Sequence, residues 1–324
     1  MLSRKGYRMS PVTETVQDRM PAIDCLEPLK AVEALVRAQN DAAAAVMCAT
    51  PQILLAGQAV ATALLQGGRV HYCGAGSSGL MAMADALELP GTYGIARDSI
   101  SILLAGGARS IEDLTGICED DRDAGSADLE NAGVAAEDCV IAVSASGRTP
   151  YVLGAADAAG RAGATLIAIA NAPDTPLLDA ADIAILLQTP PEPVAGSTRL
   201  GAGTAQKIAL NSISTLAGIL LGHVHDGMMV NLHADNTKLR ERAVRIVCTV
   251  ASVEEEHAQN ALEISNGAVK PAILLARGMP DLETANALLA RMGQNIRQVL
   301  LSLEGSTNTV STTARQGPKT GRGK

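Results

Sequence analysis

Three polar stretches hold side chains suited to binding an anion. In GAGSSG (74–79) small residues let backbone N–H groups approach a ligand at Gly76, and Ser77 and Ser78 add hydroxyl donors. SASGRTP (144–150) repeats the device with Ser144, Ser146 and Thr149 around Gly147 and Arg148. GSTRLGAGTAQK (196–207) gathers Ser197, Thr198, Arg199, Thr204, Gln206 and Lys207 before the chain turns apolar. Several neutral donors around a dianion is the chemistry a sugar phosphate requires. The competing readings are ordinary N-capping by Ser and Thr for the first two stretches and a subunit interface for the third. A dinucleotide site would pair GxGxxG with an acidic residue ending the next strand, and here that strand ends in AGG (105–107).

Carboxylates and histidines complete the inventory. Glu88 stands between two leucines in ADALELPGTYG (84–94), one short helix past the first serine loop. It reads as a surface residue at a helix end or as an acid or base at the mouth of a site. Glu119, Asp120 and Asp121 follow the AGG strand end, and a solvated acidic face is the default for such a run. His223, His225 and His233 share GHVHDGMMVNLHAD, but HxH with a distant third histidine arises readily by chance. No suitably spaced carboxylate joins them, so a structural role is expected and no metal.

These loops need elements to hold them. Short apolar runs at 69–73, 99–107, 138–144, 165–171 and 182–190 alternate with helix-compatible segments, notably 77–87, 108–118 and 150–162. That alternation predicts an α/β fold with a parallel five-stranded sheet covered on both faces. Ligands of such sheets bind beyond the strand C-terminal ends, where GAGSSG and SASGRT fall. Residues 29 to 68 have helical patterning, with Pro51 suited to a first turn and Gly67–Gly68 to a stop. Residues 195 to 222 read as a loop feeding a long buried helix, and 235 to 304 as several short amphipathic helices. Ser252 with Glu255 is a candidate capping box. The expected organisation is an N-terminal arm (1–28), a sugar-phosphate-binding domain with N-terminal helices (29–232), a helical domain (233–305) and a disordered tail (306–324).

Composition excludes several classes. The net charge of −8 provides no global basic footprint for nucleic acid, and Phe 0, Trp 0 and Tyr 4 leave few platforms for base stacking. A hydrophobic fraction of 47% over 324 residues supports a sizeable core built from small and branched side chains. The six cysteines form no CxxC pair, and small hydrophobes in a reducing cytoplasm are expected. No apolar signal core and no uninterrupted membrane-length run is apparent, so a cytoplasmic protein without a membrane partner is expected.

Taken together, SASGRTPYV (144–152), GSTRLGAGTAQK (196–207) and MVNLHADNTKLRERAVRIV (229–247), supported by AGG and DALELPGTYG, resemble the sugar isomerase (SIS) superfamily. More closely they resemble its N-acetylmuramic acid 6-phosphate etherase family, over about residues 22 to 304. The resemblance implies cleavage of the D-lactyl ether of N-acetylmuramic acid 6-phosphate to N-acetylglucosamine 6-phosphate and D-lactate, without a cofactor and in a homodimer. It places one functional glutamate at Glu88, as proton donor, and the other at Glu119, as base. It assigns substrate binding to Gly76, Ser77, Ser78, Ser144, Ser146, Gly147, Arg148, Thr149, Ser197, Thr198 and Lys207. The chain also departs from the family pattern. Leu80 stands where the family carries arginine, ELPGT replaces ECPPT, and GICED replaces EGAED. An amino-sugar phosphate isomerase or epimerase, and a non-catalytic sugar-phosphate sensor, are the competing expectations.

Overall fold

The computed structural model describes residues 22–114, 116–232 and 237–313, with side chains through Glu304. Most of the expected arm, His233 and residues 314–324 of the expected tail lie outside the described residues. The chain divides into two compact units, Met1–Pro90 with Ile95–Ala217, and Gly91–Gly94 with Gly218–Lys324.

The first unit is built on a parallel sheet of β1 (Val70–Gly74), β2 (Ile100–Leu104), β3 (Cys139–Ser144), β4 (Thr165–Ala170) and β5 (Ile183–Leu186), in the order β2-β1-β3-β4-β5. Four of the five strands fall within the apolar runs of the sequence, and β1 ends one residue past its run, at Gly74. Every residue of β1 and β3 is buried, including His71 and Tyr72, as strands with helices on both faces require. Burial pushes the thiols of Cys73 and Cys139 up to about 12, so these two behave as small hydrophobes. Cys25 and Cys48, by contrast, are exposed.

Before the sheet come α1 (Pro28–Ala45) and α2 (Thr50–Leu65), joined by a 3-10 turn at Val46–Ala49. Because Pro51 sits in the first turn of α2, where its missing N–H is harmless, helix continues from Pro28 to Leu65. That stretch contains an 18-residue window of mean hydropathy 1.4, long and apolar enough to cross a membrane by composition alone. This corrects the expectation of no such run. A third of the window is buried, and Leu29, Val32, Val36, Met47, Leu54 and Leu55 are exposed.

On one face of the sheet lie α3 (Gly76–Tyr93), which follows β1, and α8 (Gly201–Leu220), joined to it through Asp85. After β2 come α4 (Arg109–Glu112), a 3-10 turn at Gly116–Asp120 and α5 (Arg122–Asn131). The helix expected over 108–118 is therefore only one turn long. Of the acidic run, Glu119 and Asp120 end that 3-10 turn, and Asp121 is the N-cap of α5, accepting from the Ala124 N–H. On the opposite face α5 packs on α6 (Pro150–Ala162) over a core that includes Leu129, Tyr151, Val152 and Ala155. The two helix backbones meet through glycines: a Cβ on Gly125 would lie 1.9 Å from the Tyr151 carbonyl oxygen, and one on Gly154 1.8 Å from that of Arg122. α7 (Pro176–Asp179) follows β4, and α8 (Gly201–Leu220) follows β5.

The second unit contains a two-residue hairpin, β6 (Val224–His225) and β7 (Met228–Met229), then α9 (Thr237–Ala251), α10 (Glu255–Ile264), α11 (Val269–Ala276), α12 (Leu282–Arg291) and α13 (Ile296–Thr313). The hairpin turns on Asp226 and Gly227, both at positive φ. The capping box does not form. Ser252 adopts φ 58, outside the extended region a cap needs, and Glu254 precedes α10 instead. α13 carries helix to Thr313, into the first residues of the stretch expected as tail.

Gly154→Ala forces a methyl group into the α5–α6 contact. The expected result is a loss of about 1–3 kcal/mol in urea denaturation, with larger losses where the backbones cannot separate.

Candidate functional site

The strand order reverses at β1: the chain leaves β1 for β2 on one side and later returns to place β3 on the other. The loops after β1 and β3 therefore flank a topological switch point, the crevice where open parallel sheets take ligands. These loops are the two serine stretches, GAGSSG and SASGRT.

The first loop is shaped by close backbone approach. A Cβ on Gly74 would lie 2.6 Å from Gly79 Cα, and one on Gly79 would lie 2.4 Å from Leu104 Cδ1. Only glycine at both positions lets β1 turn directly into α3. Gly76 has φ 50, and a Cβ built there would lie 2.6 Å from Glu119 Oε1. The Glu119 carboxylate thus rests on the bare backbone of the loop. Ser77 is half-buried and Ser78 buried beside it, and Leu80 is half-buried within α3. Burial first, then the neighbouring Asp120 charge, raises the pKa of Glu119 above the ordinary glutamate value.

The second loop is tied together by its own hydroxyls. Ser144 Oγ accepts from the Gly147 N–H at 3.1 Å and lies 2.8 Å from Thr149 Oγ1 and 3.4 Å from Ser146 Oγ. Ser146 Oγ accepts from the Arg148 N–H at 3.2 Å. Gly147 holds φ 62, and a side chain there would also meet Thr175. Ser144 is buried, so its hydroxyl organises the loop, while Ser146 and Thr149 are half-buried. Arg148 is exposed, and its guanidinium donates to the Asp174 carbonyl at 2.8 Å.

The third polar stretch has a different occupant. Glu192, 3% exposed, accepts from the Gly201 and Ala202 N–H groups, both at 2.9 Å. The N-terminus of α8 is thus satisfied by a carboxylate from the chain itself, which disfavours a second anion at those amides. Ser197 and Thr198 are half-buried residues of the preceding loop, and Lys207 is exposed on α8. Glu192 went unread in the sequence because it lies in the proline-rich segment QTPPEPVAG, which carries no helix-start pattern.

Glu88 is exposed, well inside the eighteen-residue α3 rather than at its end. The helix runs past it because Pro90 leaves only the Ala86 carbonyl without its usual donor. Three residues earlier Asp85 fastens α3 in place. Its carboxylate accepts from Tyr72 Oη of β1 (2.9 Å) and from Asn211 Nδ2 (2.6 Å) and Ser214 Oγ (2.9 Å) of α8. Burial raises the Asp85 pKa; those three hydrogen bonds oppose the rise, and the Glu88 charge adds to it.

His223 and His225 lie in the second unit. Burial, then the nearby Lys270 charge, lowers His223 to about 4, and its Nδ1 lies 3.4 Å from Asn231 Nδ2. His225 is buried with its Nε2 3.6 Å from Asp226 Oδ2. Among the described residues, no three His, Cys, Asp or Glu side chains are grouped to hold a metal ion.

Paired serine-rich loops at the switch point of a five-stranded parallel sheet define a SIS domain, and residues 37–171 match that domain family. Within it, the chain belongs to the N-acetylmuramic acid 6-phosphate etherase family. It is 41% identical over 288 residues to the N-acetylmuramic acid 6-phosphate etherase of Deinococcus radiodurans, covering 89% of this chain and 94% of that one. It is 41% identical over 263 residues to the etherase of Symbiobacterium thermophilum, covering 81% and 87%. Among solved structures, a phosphoheptose isomerase from Francisella tularensis aligns over 60% of this chain and 98% of its own, with 18% identity and a TM-score of 0.45.

Removing the Asp85 carboxylate leaves buried donors on β1 and α8 without an acceptor. Asp85→Ala is expected to lower stability by about 1–3 kcal/mol per stranded donor, whereas Asp85→Asn keeps a carbonyl for Asn211 and Ser214 and loses less. Chemical denaturation of the two variants checks the order.

Proposed function

We propose that this protein cleaves the D-lactyl ether of N-acetylmuramic acid 6-phosphate, acting as a carbon–oxygen lyase that then adds water. The observation that carries the reading is the Glu119 carboxylate resting on Gly76, a proton acceptor set directly beside an anion-suited loop. The names of the two etherases above, at 41% identity, support it.

The chemistry follows from the weakness of an ether as a leaving group. Opening the sugar to its aldehyde makes the C2 proton acidic. Glu119 takes that proton, its raised pKa suiting it to the task. The electron pair forms the C2–C3 double bond, and the C3–O bond breaks with its electrons passing to the lactyl oxygen. Glu88 protonates that oxygen, releasing D-lactate. Water then adds across the conjugated double bond, its hydroxyl to C3 and a proton to C2, giving N-acetylglucosamine 6-phosphate. The phosphate is held by the Gly76, Ser77 and Ser78 loop and by Ser146, Gly147, Arg148 and Thr149, with Ser144 shaping the second loop from behind. That grip positions C2 and C3 for the two carboxyl groups. Ser197, Thr198 and Lys207 belong to the wider family site. The same reading makes the protein a cytoplasmic homodimer that needs no cofactor.

Incubation with N-acetylmuramic acid 6-phosphate should release D-lactate. Glu119→Gln should slow release by about 10²–10⁴-fold and abolish solvent deuterium uptake at C2; Glu88→Ala should slow it comparably. Ketose formation without lactate, or undiminished release by either variant, overturns the assignment. The acid limb of the kcat/KM profile should follow Glu119 and lie above the ordinary glutamate range. Asp120→Asn removes a neighbouring negative charge, so the limb should move to lower pH.

A further inference from the structure

Three buried polar side chains next to the serine loops have no part in the chemistry above. Asn171, one residue past β4, is 1% exposed, Thr189 4%, and Gln206, inside α8, 0%. Asn171 donates its side-chain N–H groups to the Leu187 carbonyl (3.1 Å) and to Thr189 Oγ1 (3.4 Å). Its side-chain oxygen accepts from Gln206 Nε2 at 2.9 Å. The direction of this chain of bonds is forced. The Leu187 carbonyl can only accept, so Asn171 must turn its NH2 toward it and its oxygen toward Gln206. Gln206 must then present its own NH2, and its Oε1 is left buried without a partner.

These bonds close a ring that ties the second polar stretch to the third. The Asn171 main-chain N–H donates to the Ala145 carbonyl at 3.0 Å, and Ala145 stands between Ser144 and Ser146. Gln206 carries the connection to α8, whose first amides, at Gly201 and Ala202, donate to Glu192. Glu192 lies three residues past Thr189, which leads back to Asn171. The loop bearing Ser197 and Thr198 runs from Glu192 to Gly201, so its two ends are fastened together within the ring. A buried acceptor without a donor is unfavourable, and leucine in place of Gln206 would fill similar space without one. An amide at this position is accounted for by its donor end, which holds Asn171.

We infer that Gln206 and Asn171 are positioning residues for the sugar-phosphate site, holding the SASGRT loop and the Ser197–Thr198 loop in one fixed relation. Both side chains are enclosed by protein and act through the loops they tie. The identity of the ligand rests on the function proposed above; the ring rests on the hydrogen bonds. A grip on the phosphate is made alike in the bound substrate and in the transition state, so loosening it raises KM and leaves kcat nearly unchanged. A residue that only supports packing lowers stability and leaves both constants alone.

The test uses Gln206→Leu, which fills similar space and removes the donor to Asn171. Its KM for N-acetylmuramic acid 6-phosphate is expected to rise about tenfold, with kcat within about twofold of the wild-type value. Leu129→Ala, which opens a cavity in the core between α5 and α6 and touches no member of the ring, is the comparison: it should lower stability and leave KM unchanged. A second measurement is independent of turnover. Calorimetric titration with N-acetylglucosamine 6-phosphate and with unphosphorylated N-acetylglucosamine gives the preference for the phosphate, which should fall about tenfold in Gln206→Leu. Unchanged KM with unchanged preference overturns the inference, as does a fall in kcat at constant KM. If Gln206→Leu does not fold, Gln206→Met, unbranched and of like length but without the donor, replaces it in both measurements. If the wild-type protein releases no lactate, yet prefers the phosphorylated sugar and loses that preference in the variant, the etherase reading falls and the positioning role stands. A wild-type protein with no preference for the phosphorylated sugar overturns both.

Discussion

The length and anchorage of α3 constrain the candidate site more than any other feature. The helix leaves β1 through a turn so tight that Gly74 and Gly79 pack backbone to backbone, which fixes where the loop amides point. Asp85 then locks its middle, one buried carboxylate receiving hydrogen bonds from β1 and α8. Burying that carboxylate is unfavourable unless it is hydrogen-bonded, and three donors bond it here. The result is a rod whose first residue shapes a binding loop and whose exposed face presents Glu88 to whatever lies outside the chain.

The C-terminal edge of the sheet also distributes its helix N-termini unequally. At α8 the amides of Gly201 and Ala202 are spent on Glu192, and at α5 Asp121 serves as cap. The loop feeding α6 uses Ser144 to bridge its own amide and hydroxyl groups. The loop feeding α3 differs in lacking a carboxylate cap at its own position. Instead it carries a glycine against which a carboxylate from another segment rests. Capping elsewhere by fixed acidic side chains leaves the switch-point loops as the neutral, donor-rich part of an otherwise acidic chain.

Much of this was legible in the sequence because it is written in local pattern. The five strands are unbroken apolar runs, and each serine loop follows one of them, so sheet and loops could be placed together. What escaped reading depends on contacts distant in sequence. α5 begins in CEDDRDAG, which reads as a solvated acidic loop; its helix is fixed by Gly125 meeting Tyr151 of α6 across the core. Asp226–Gly227 is a hairpin signal in plain view, but the strands it joins are only two residues each, too short to show alternation. Glu192 and Asp85 look like surface acids until their partners, 9 and 126 residues away, are known. The position of Glu88 was legible, but its distance from Glu119 was not, since that depends on α3 continuing past Pro90.

The same geometry bears on the arginine that this chain lacks. Leu80 opens the second turn of α3, four residues past Gly76 and thus on nearly the same face of the helix. A guanidinium there would add a positive charge beside the loop; leucine adds none. The cations that remain nearby in sequence are poorly placed to replace it, since Arg148 is held by the Asp174 carbonyl and Lys207 projects from α8 into solvent. The donors these two loops offer are then main-chain N–H groups and hydroxyls, whose strength toward an anion depends on exclusion of water.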